Sequence, residues 1–269
     1  MPTLPRDPPE GAVGAPTSSL PPAVVEVVDV VSAAAGVEAV VLGGSRATGT
    51  AHSGSDWDLG VCYRGSLDVD ALRELGEVHS PGSWGRLMNG GAWLQRGEQR
   101  VDILLRDLDA VEHWSREAQQ GRFEIDLLLG YLAGMPTYTL TAEVASSIVL
   151  VGRVEISGSY PEALAAEGPG RWRFHRDFSL TYARRLARLG NRLGALGQLA
   201  RAAVEEAHAR HCEDRRWVLN EKRILAGLDL DGAIDALGEG ADVTAVVDEV
   251  SDRLQDRPGR TPQTLTPTA

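Results

Sequence analysis

The sequence predicts an α+β protein: a small mixed β-sheet flanked by helices, followed by an all-α helical bundle. Three observations carry that prediction. Short β-branched and apolar runs bounded by glycine recur through the first half of the chain. Helical spacing replaces them from Leu140 onward, and the turn-rich stretch YLAGMPTYT at 131–139 separates the two regimes. The expected organisation is a flexible leader over 1–19, a sheet-bearing domain over 20–134, a helical domain over 135–257 and a disordered tail over 258–269.

Taken in order, the segment from Pro21 to Ala35 places valines and alanines as a helix docked on a sheet would, and it ends before Gly36. VEAVVLGG, Val37 to Gly44, is a buried strand running into a glycine turn. SRATGTAHSGS mixes a short helix with a polar loop, and DWDLGVCY, Asp56 to Tyr63, resumes an extended apolar pattern. Leu67 to Val78 has helical spacing. GGAWLQR and RVDILLR read as two strands, with Gly97 and Glu98 as the hairpin connection. Asp107 is a natural N-cap and Gly121 a natural stop for the helix between them. Helices are then expected over 140–152, 161–167, 174–190, 193–213, 215–227, 231–238 and 241–255.

Composition narrows the function classes. The chain has 269 residues, 43% of them hydrophobic, and no apolar stretch long enough to cross a membrane, so no membrane partner is expected. The first twenty residues lack both the basic start and the unbroken apolar run of a secretory signal, which points to a cytoplasmic protein. Cys62 and Cys212 stand far apart without CxxC spacing, so neither a disulfide framework nor a structural zinc site is expected. The net charge of -11 argues against nucleic acid as a general partner, because such binding needs a positive surface, and it suits a cationic small substrate. A homo-oligomer is compatible with this composition.

The chemistry concentrates in GGSRATGTAHSGSDWDLGV, Gly43 to Val61. Asp56 and Asp58 are two residues apart on a strand, so their side chains share a face. Two carboxylates so close repel each other, and a divalent cation offsets that cost. In RVDILLR, Val101, Ile103 and Leu105 point to the side opposite Asp102, which makes Asp102 a third carboxylate for the same metal site if the two strands pair. Gly43 and Gly44 allow close approach of the backbone to phosphate. The following N–H groups and the Ser45 hydroxyl are donors, Arg46 and Thr48 add further ones, and Ser55 is placed to orient an aspartate or bind phosphate. Taken singly, a paired glycine is an ordinary turn and an isolated DxD an ordinary solvated strand edge; the ordered combination is far more specific.

This combination resembles the nucleotidyltransferase superfamily, which includes polymerase-beta-type enzymes, aminoglycoside adenylyltransferases and minimal nucleotidyltransferases. The matching residues are Gly44 and Ser45, then Asp56 and Asp58, then Asp102. The resemblance implies a catalytic domain with two magnesium ions and ATP or another nucleoside triphosphate as co-substrate. Asp56 and Asp58 would bridge both metals, and Asp102 would bind the metal nearest the nucleophile and take its proton. RRWVLNEKRILAGL, Arg215 to Leu228, resembles a helix in the helical domains of bacterial relatives. There Lys222, the only lysine of the chain, is a candidate counter-charge for the triphosphate, with Asn220, Glu221 and Arg223 beside it. Some antibiotic-modifying relatives use a glutamate as general base, which makes Glu124 in FEIDLLLGY the preferred candidate, ahead of Asp126. His52 is expected to have a loop role, and Tyr63, Trp57 and Trp84 to be packing residues.

The leading expectation is transfer of a nucleoside monophosphate, AMP from ATP, to a hydroxyl of a small molecule, an aminoglycoside-like compound among the candidates. Transfer to a protein or an RNA end, as in toxin-like relatives, is a second reading. A catalytically inactive nucleotide-binding or scaffold protein is a third, against which the complete set of Asp56, Asp58 and Asp102 weighs.

Overall fold

The computed structural model describes residues 20–238 and 241–255, so the expected leader over 1–19 and tail over 258–269 lie outside the described residues. The chain forms two compact units. The first runs to Asp126 and takes in Pro136–Ser159; the second holds Leu127–Met135 and the chain from Tyr160 onward.

The first unit opens with helix α1 (Pro22–Ala33), whose Val24, Val27, Val28 and Val31 are fully buried. Burying each contributes roughly 1.5–3 kcal/mol. Strand β1 (Val37–Leu42), the single-turn helix α2 (Gly44–Ala47) and strand β2 (Trp57–Tyr63) follow. The helix expected over 67–78 is shorter: Asp68 caps α3 (Val69–Leu72), a 3-10 turn continues it over Arg73–Leu75, and Gly76 at φ +138° ends it. A second single-turn helix, α4 (Gly85–Met88), precedes the hairpin of β3 (Gly91–Arg96) and β4 (Gln99–Asp107). Arg96 pairs with Gln99 across the expected Gly97–Glu98 connection, where Gly97 takes φ +60°. Asp107 caps α5 (Leu108–Gln119) by accepting from the Asp109 amide at 2.9 Å.

After two short strands, β5 (Ile125–Asp126) and β6 (Met135–Pro136), the chain forms α6 (Thr139–Ala145) and then β7 (Ile148–Gly152). The sequence reading expects one helix over 140–152. Instead IVLV pairs antiparallel with β1, because that strand has an open edge and Gly152 at φ +75° closes the new strand. The sheet order is β3-β4-β2-β1-β7, with β2 and β4 parallel and the other pairs antiparallel. This is the small mixed sheet expected. One face carries Val40, Leu42, Trp57, Leu59, Val61, Ala92, Leu94, Val101, Ile103 and Leu105 against α1. Strand periodicity therefore turns Asp58, Asp102 and Trp93 to the other face.

The second unit is built on α7 (Glu162–Arg188) and α8 (Arg192–Glu213), joined by a short turn and covered by α10 (Val243–Gln255) through Val246, Val247, Val250 and Leu254. A further helix, α9 (Asp231–Gly238), precedes α10. The sequence reading divides α7 at Gly168–Pro169–Gly170, yet the helix runs through. Packing overrides propensity here: Trp172 and Leu164 are fully buried, and a Cβ at Gly168 would lie 3.0 Å from Cys212 Sγ. The helix expected over 215–227 is replaced by irregular chain and a 3-10 turn over Ile224–Gly227. No described helix is long and apolar enough to cross a membrane.

Candidate active site

The glycine turn is stitched to the aspartate strand. As β1 ends, the Gly43 amide donates to the Asp58 carbonyl at 2.8 Å. Gly44 follows at φ +61°, and a Cβ built there would lie 1.8 Å from Asp58 Oδ2 and 2.6 Å from its Cγ. The turn backbone thus rests directly on the Asp58 carboxylate, which is why the position requires glycine. Ser45 continues into α2 with a half-buried side chain.

Strand register supplies the second carboxylate. Asp58 stands opposite Asp102 in the parallel β2–β4 pair, and Asp102 stands opposite Trp93 in the antiparallel β3–β4 pair. Directly opposed residues share a face, with Cβ atoms about 4.5–5.5 Å apart in antiparallel pairs. A row of Gly43, Asp58, Asp102 and Trp93 consequently crosses four strands' width of the sheet face opposite α1.

Asp56 lies just before β2 and is held differently. Its Oδ1 sits 2.6 Å from Arg100 Nε, while that buried oxygen has no hydrogen bond aligned on it. Charge alone pairs the two groups, and Arg100, 60% exposed, is a replaceable counter-charge. With Asp56 drawn to Arg100, no three His, Cys, Asp or Glu side chains among the described residues stand close enough to hold a metal ion. Two adjacent carboxylates and a buried carboxylate oxygen lacking a hydrogen bond nevertheless fit a divalent cation that takes over from Arg100.

Other expected site residues have partners within the chain. Arg46 donates to the carbonyls of Asp56 at 3.1 Å and Ser55 at 2.6 Å, and its guanidinium lies 3.9 Å over the Trp57 ring. It fixes the entry to β2. Ser55 Oγ accepts from the His52 amide at 3.0 Å, and His52 Nδ1 accepts from Gly54 at 3.1 Å, the loop role expected for that histidine. Glu124 accepts from Arg86 Nη2 at 2.6 Å, and Asp126 accepts from Arg86 Nε at 2.7 Å, so this expected base is engaged by a guanidinium.

Lys222 lies in the second unit with an exposed side chain, on irregular chain rather than on a helix, so Asn220 and Arg223 do not share a helix face. Asn220 accepts from the Lys222 amide at 3.0 Å, and Glu221 accepts from the Leu132 and Ala133 amides at 2.5 and 3.0 Å. Glu221 is therefore a staple within that unit, while Asn220 closes a local turn. Both cysteines are buried and neither forms a disulfide among the described residues, and burial pushes the Cys62 thiol up to about 11, which keeps it protonated.

Two residues at the site escaped the sequence reading. Arg100 had the signal of a charged residue two before Asp102, but its partner is set by the fold. Trp93 had the signal of an aromatic alternating outward between Ala92 and Leu94; it is 66% exposed, whereas Trp57 and Tyr63 are core residues.

Residues 24–84 match the family model described as Nucleotidyltransferase domain, a span that includes the glycine turn, Asp56 and Asp58 and stops short of Asp102. No curated protein sequence matches the chain. With the glycine turn seated on Asp58 inside that span, the match supports a nucleotidyltransferase domain of the kind the motif resembles, and generic nucleotidyl transfer as the chemistry of that domain.

Proposed function

We propose that the protein transfers AMP from ATP to a hydroxyl of a small acceptor, with magnesium bound by Asp56, Asp58 and Asp102. The observation that carries this reading is the pairing of Asp58 with Asp102 on parallel strands, with Gly44 packed against the Asp58 carboxylate. Magnesium, when bound, supplies positive charge against the phosphate oxygens and the developing negative charge.

The chain's own groups do the rest. Backbone amides of the Gly43–Ser45 turn and the Ser45 hydroxyl donate to phosphate oxygens beside Asp58. Asp102 receives the proton of the acceptor hydroxyl. The hydroxyl oxygen forms a bond to the α-phosphorus as the bond from that phosphorus to the α,β-bridging oxygen breaks, and pyrophosphate leaves with the electron pair. Arg46 and Ser55 hold the loop that presents Asp56. Lys222 is an additional candidate counter-charge for the triphosphate.

The test is pyrophosphate release from each nucleoside triphosphate with magnesium, against a panel of hydroxyl-bearing small molecules, with mass spectrometry of each mixture. An acceptor heavier by one nucleoside monophosphate, absent with Asp58→Asn and Asp102→Asn, supports the reading. Nucleotide binding without any small-molecule product shifts it to a protein acceptor, and loss of nucleotide binding altogether refutes it.

A further inference from the structure

The sheet face that carries the aspartates ends in an aromatic platform that the reaction as described does not use. Trp93 on β3 stacks on Trp84 with ring centroids 4.5 Å apart and an interplanar angle of 27°. His79 meets Trp84 at 5.0 Å and Trp93 edge-on at 5.5 Å. The arrangement is built into the fold. His79 bridges to Gly91, and a Cβ at Gly91 would lie 1.9 Å from the Ile103 carbonyl oxygen and 2.9 Å from Trp84 Cζ3. With Trp84 covering one face of its ring, the 66% exposure of Trp93 leaves the other face to solvent. An indole held rigid and open is costly to leave in water and suited to stacking.

Position gives the platform a role, which rests on the proposed transfer reaction. The order across the sheet is glycine turn, Asp58, Asp102, Trp93. The turn takes the triphosphate, so the leaving pyrophosphate lies on the β1 side. In-line displacement puts the attacking oxygen opposite the leaving group, toward Asp102 and then Trp93. The acceptor, rather than the phosphates, therefore meets the indole. Asp102 stands directly opposite Trp93 with Asp58 one strand further, while Arg100, two residues before Asp102 on the same face, is paired with Asp56. An electron-rich ring face beside carboxylates favours a cation.

We propose that Trp93 is the acceptor-recognition residue and that the acceptor is a cationic, ring-bearing alcohol, seated on the open indole face with its hydroxyl directed to Asp102. A cation-bearing ring uses both the aromatic face and the carboxylate row, whereas a neutral ring or an acyclic polyamine uses only part of either.

Calorimetric titration of the full chain with kanamycin and streptomycin as cationic ring probes, and with spermidine and myo-inositol as partial probes, tests this directly. The expected result is saturable binding of a cationic ring probe that exceeds that of the partial probes. Trp93→Ala weakens it about tenfold, and Trp93→Phe holds it within about threefold. Magnesium-ATP affinity stays unchanged in both variants, and unchanged thermal midpoints show that the exposed position leaves the fold intact. Equal binding by wild type and Trp93→Ala, or no binding of either cationic ring probe, overturns the proposal. So does an effect of Trp93→Ala on ATP alone, which would assign the platform to the nucleotide base. Trp93-dependent probe binding in a protein that releases no pyrophosphate would sink the transferase reading and keep the platform; nucleotidyl transfer indifferent to Trp93 would do the reverse.

Discussion

Replacing Gly44 by alanine isolates the contact between the glycine turn and the aspartate. Two effects add at this position. The backbone sits at φ +61°, which costs an alanine about 1 kcal/mol. The new Cβ would also fall 1.8 Å from Asp58 Oδ2, where ordinary contact begins at 3.4 Å, so turn and carboxylate must separate by about 1.6 Å. Misplacing a reacting group by about 1 Å can cost 10²-fold in rate.

Gly49→Ala is the matched control: φ is +71°, and nothing lies within 4 Å of its Cβ, so it carries the backbone strain without the collision. In magnesium-dependent pyrophosphate release, Gly44→Ala is expected to lose about 100-fold or more in kcat/KM, and Gly49→Ala less than about threefold. Gly49→Ala is expected to lower the thermal midpoint by about 2–4 °C. Activity of Gly44→Ala equal to that of Gly49→Ala would refute the role assigned to the turn.

Further predictions concern counter-charges and the second unit. Arg100→Gln frees Asp56 Oδ1 from its pairing and is expected to lower the magnesium concentration at half-maximal activity; an unchanged value means Arg100 does not compete for that carboxylate. His208 is buried against Trp172 with neither ring nitrogen hydrogen-bonded, and burial holds its pKa down to about 3. The unfolded chain takes up a proton near pH 6.5 that the folded chain refuses, so stability is complete above that pH. It falls by about 1.4 kcal/mol per pH unit as the pH drops from there toward 3. His208→Phe keeps a flat ring on Trp172 and should flatten that part of the urea-midpoint profile; a profile like wild type's would contradict the assignment. Glu206 is 1% exposed and holds Arg176 at 2.5 Å, with Arg210 at 3.0 Å and Arg173 at 3.3 Å. Glu206→Ala removes one of the two carboxylates that hold the buried Arg176 guanidinium, leaving Asp177, and should cost about 1.5–3 kcal/mol in chemical denaturation. Glu221→Ala removes the acceptor of the Leu132 and Ala133 amides, and faster hydrogen exchange at those two amides is the expected readout.

Local patterns explain what was legible from the residues alone. The spacing of Asp56 and Asp58, the alternation in RVDILLR and the paired glycines after a β-branched run are properties of a few consecutive residues, and the physics that reads them is equally local: period-2 strands and the φ freedom of glycine. The α+β class, the Gly97–Glu98 hairpin and the Asp107 cap follow in the same way. Arg46 shows where local reading stops. Its place beside the turn suggests a phosphate donor, and its partners within the chain, the carbonyls of Ser55 and Asp56 and the Trp57 face, are brought to it only by loop closure.

By itself, then, the sequence determined the acidic residue types of the candidate site, their spacing along each strand and the order of sheet-rich and helical regions. Only the tertiary structure decided which strands pair and in what register: Asp102 opposite Asp58, Trp93 opposite Asp102, and IVLV on the open edge of β1 instead of on a helix. It also carried α7 through Pro169 and turned Glu221 into a staple. The reason is the same in each case. A strand edge, a groove beside Cys212 or a pair of unsatisfied amides exists only once distant parts of the chain have met, and a segment then adopts whatever conformation best satisfies that surface.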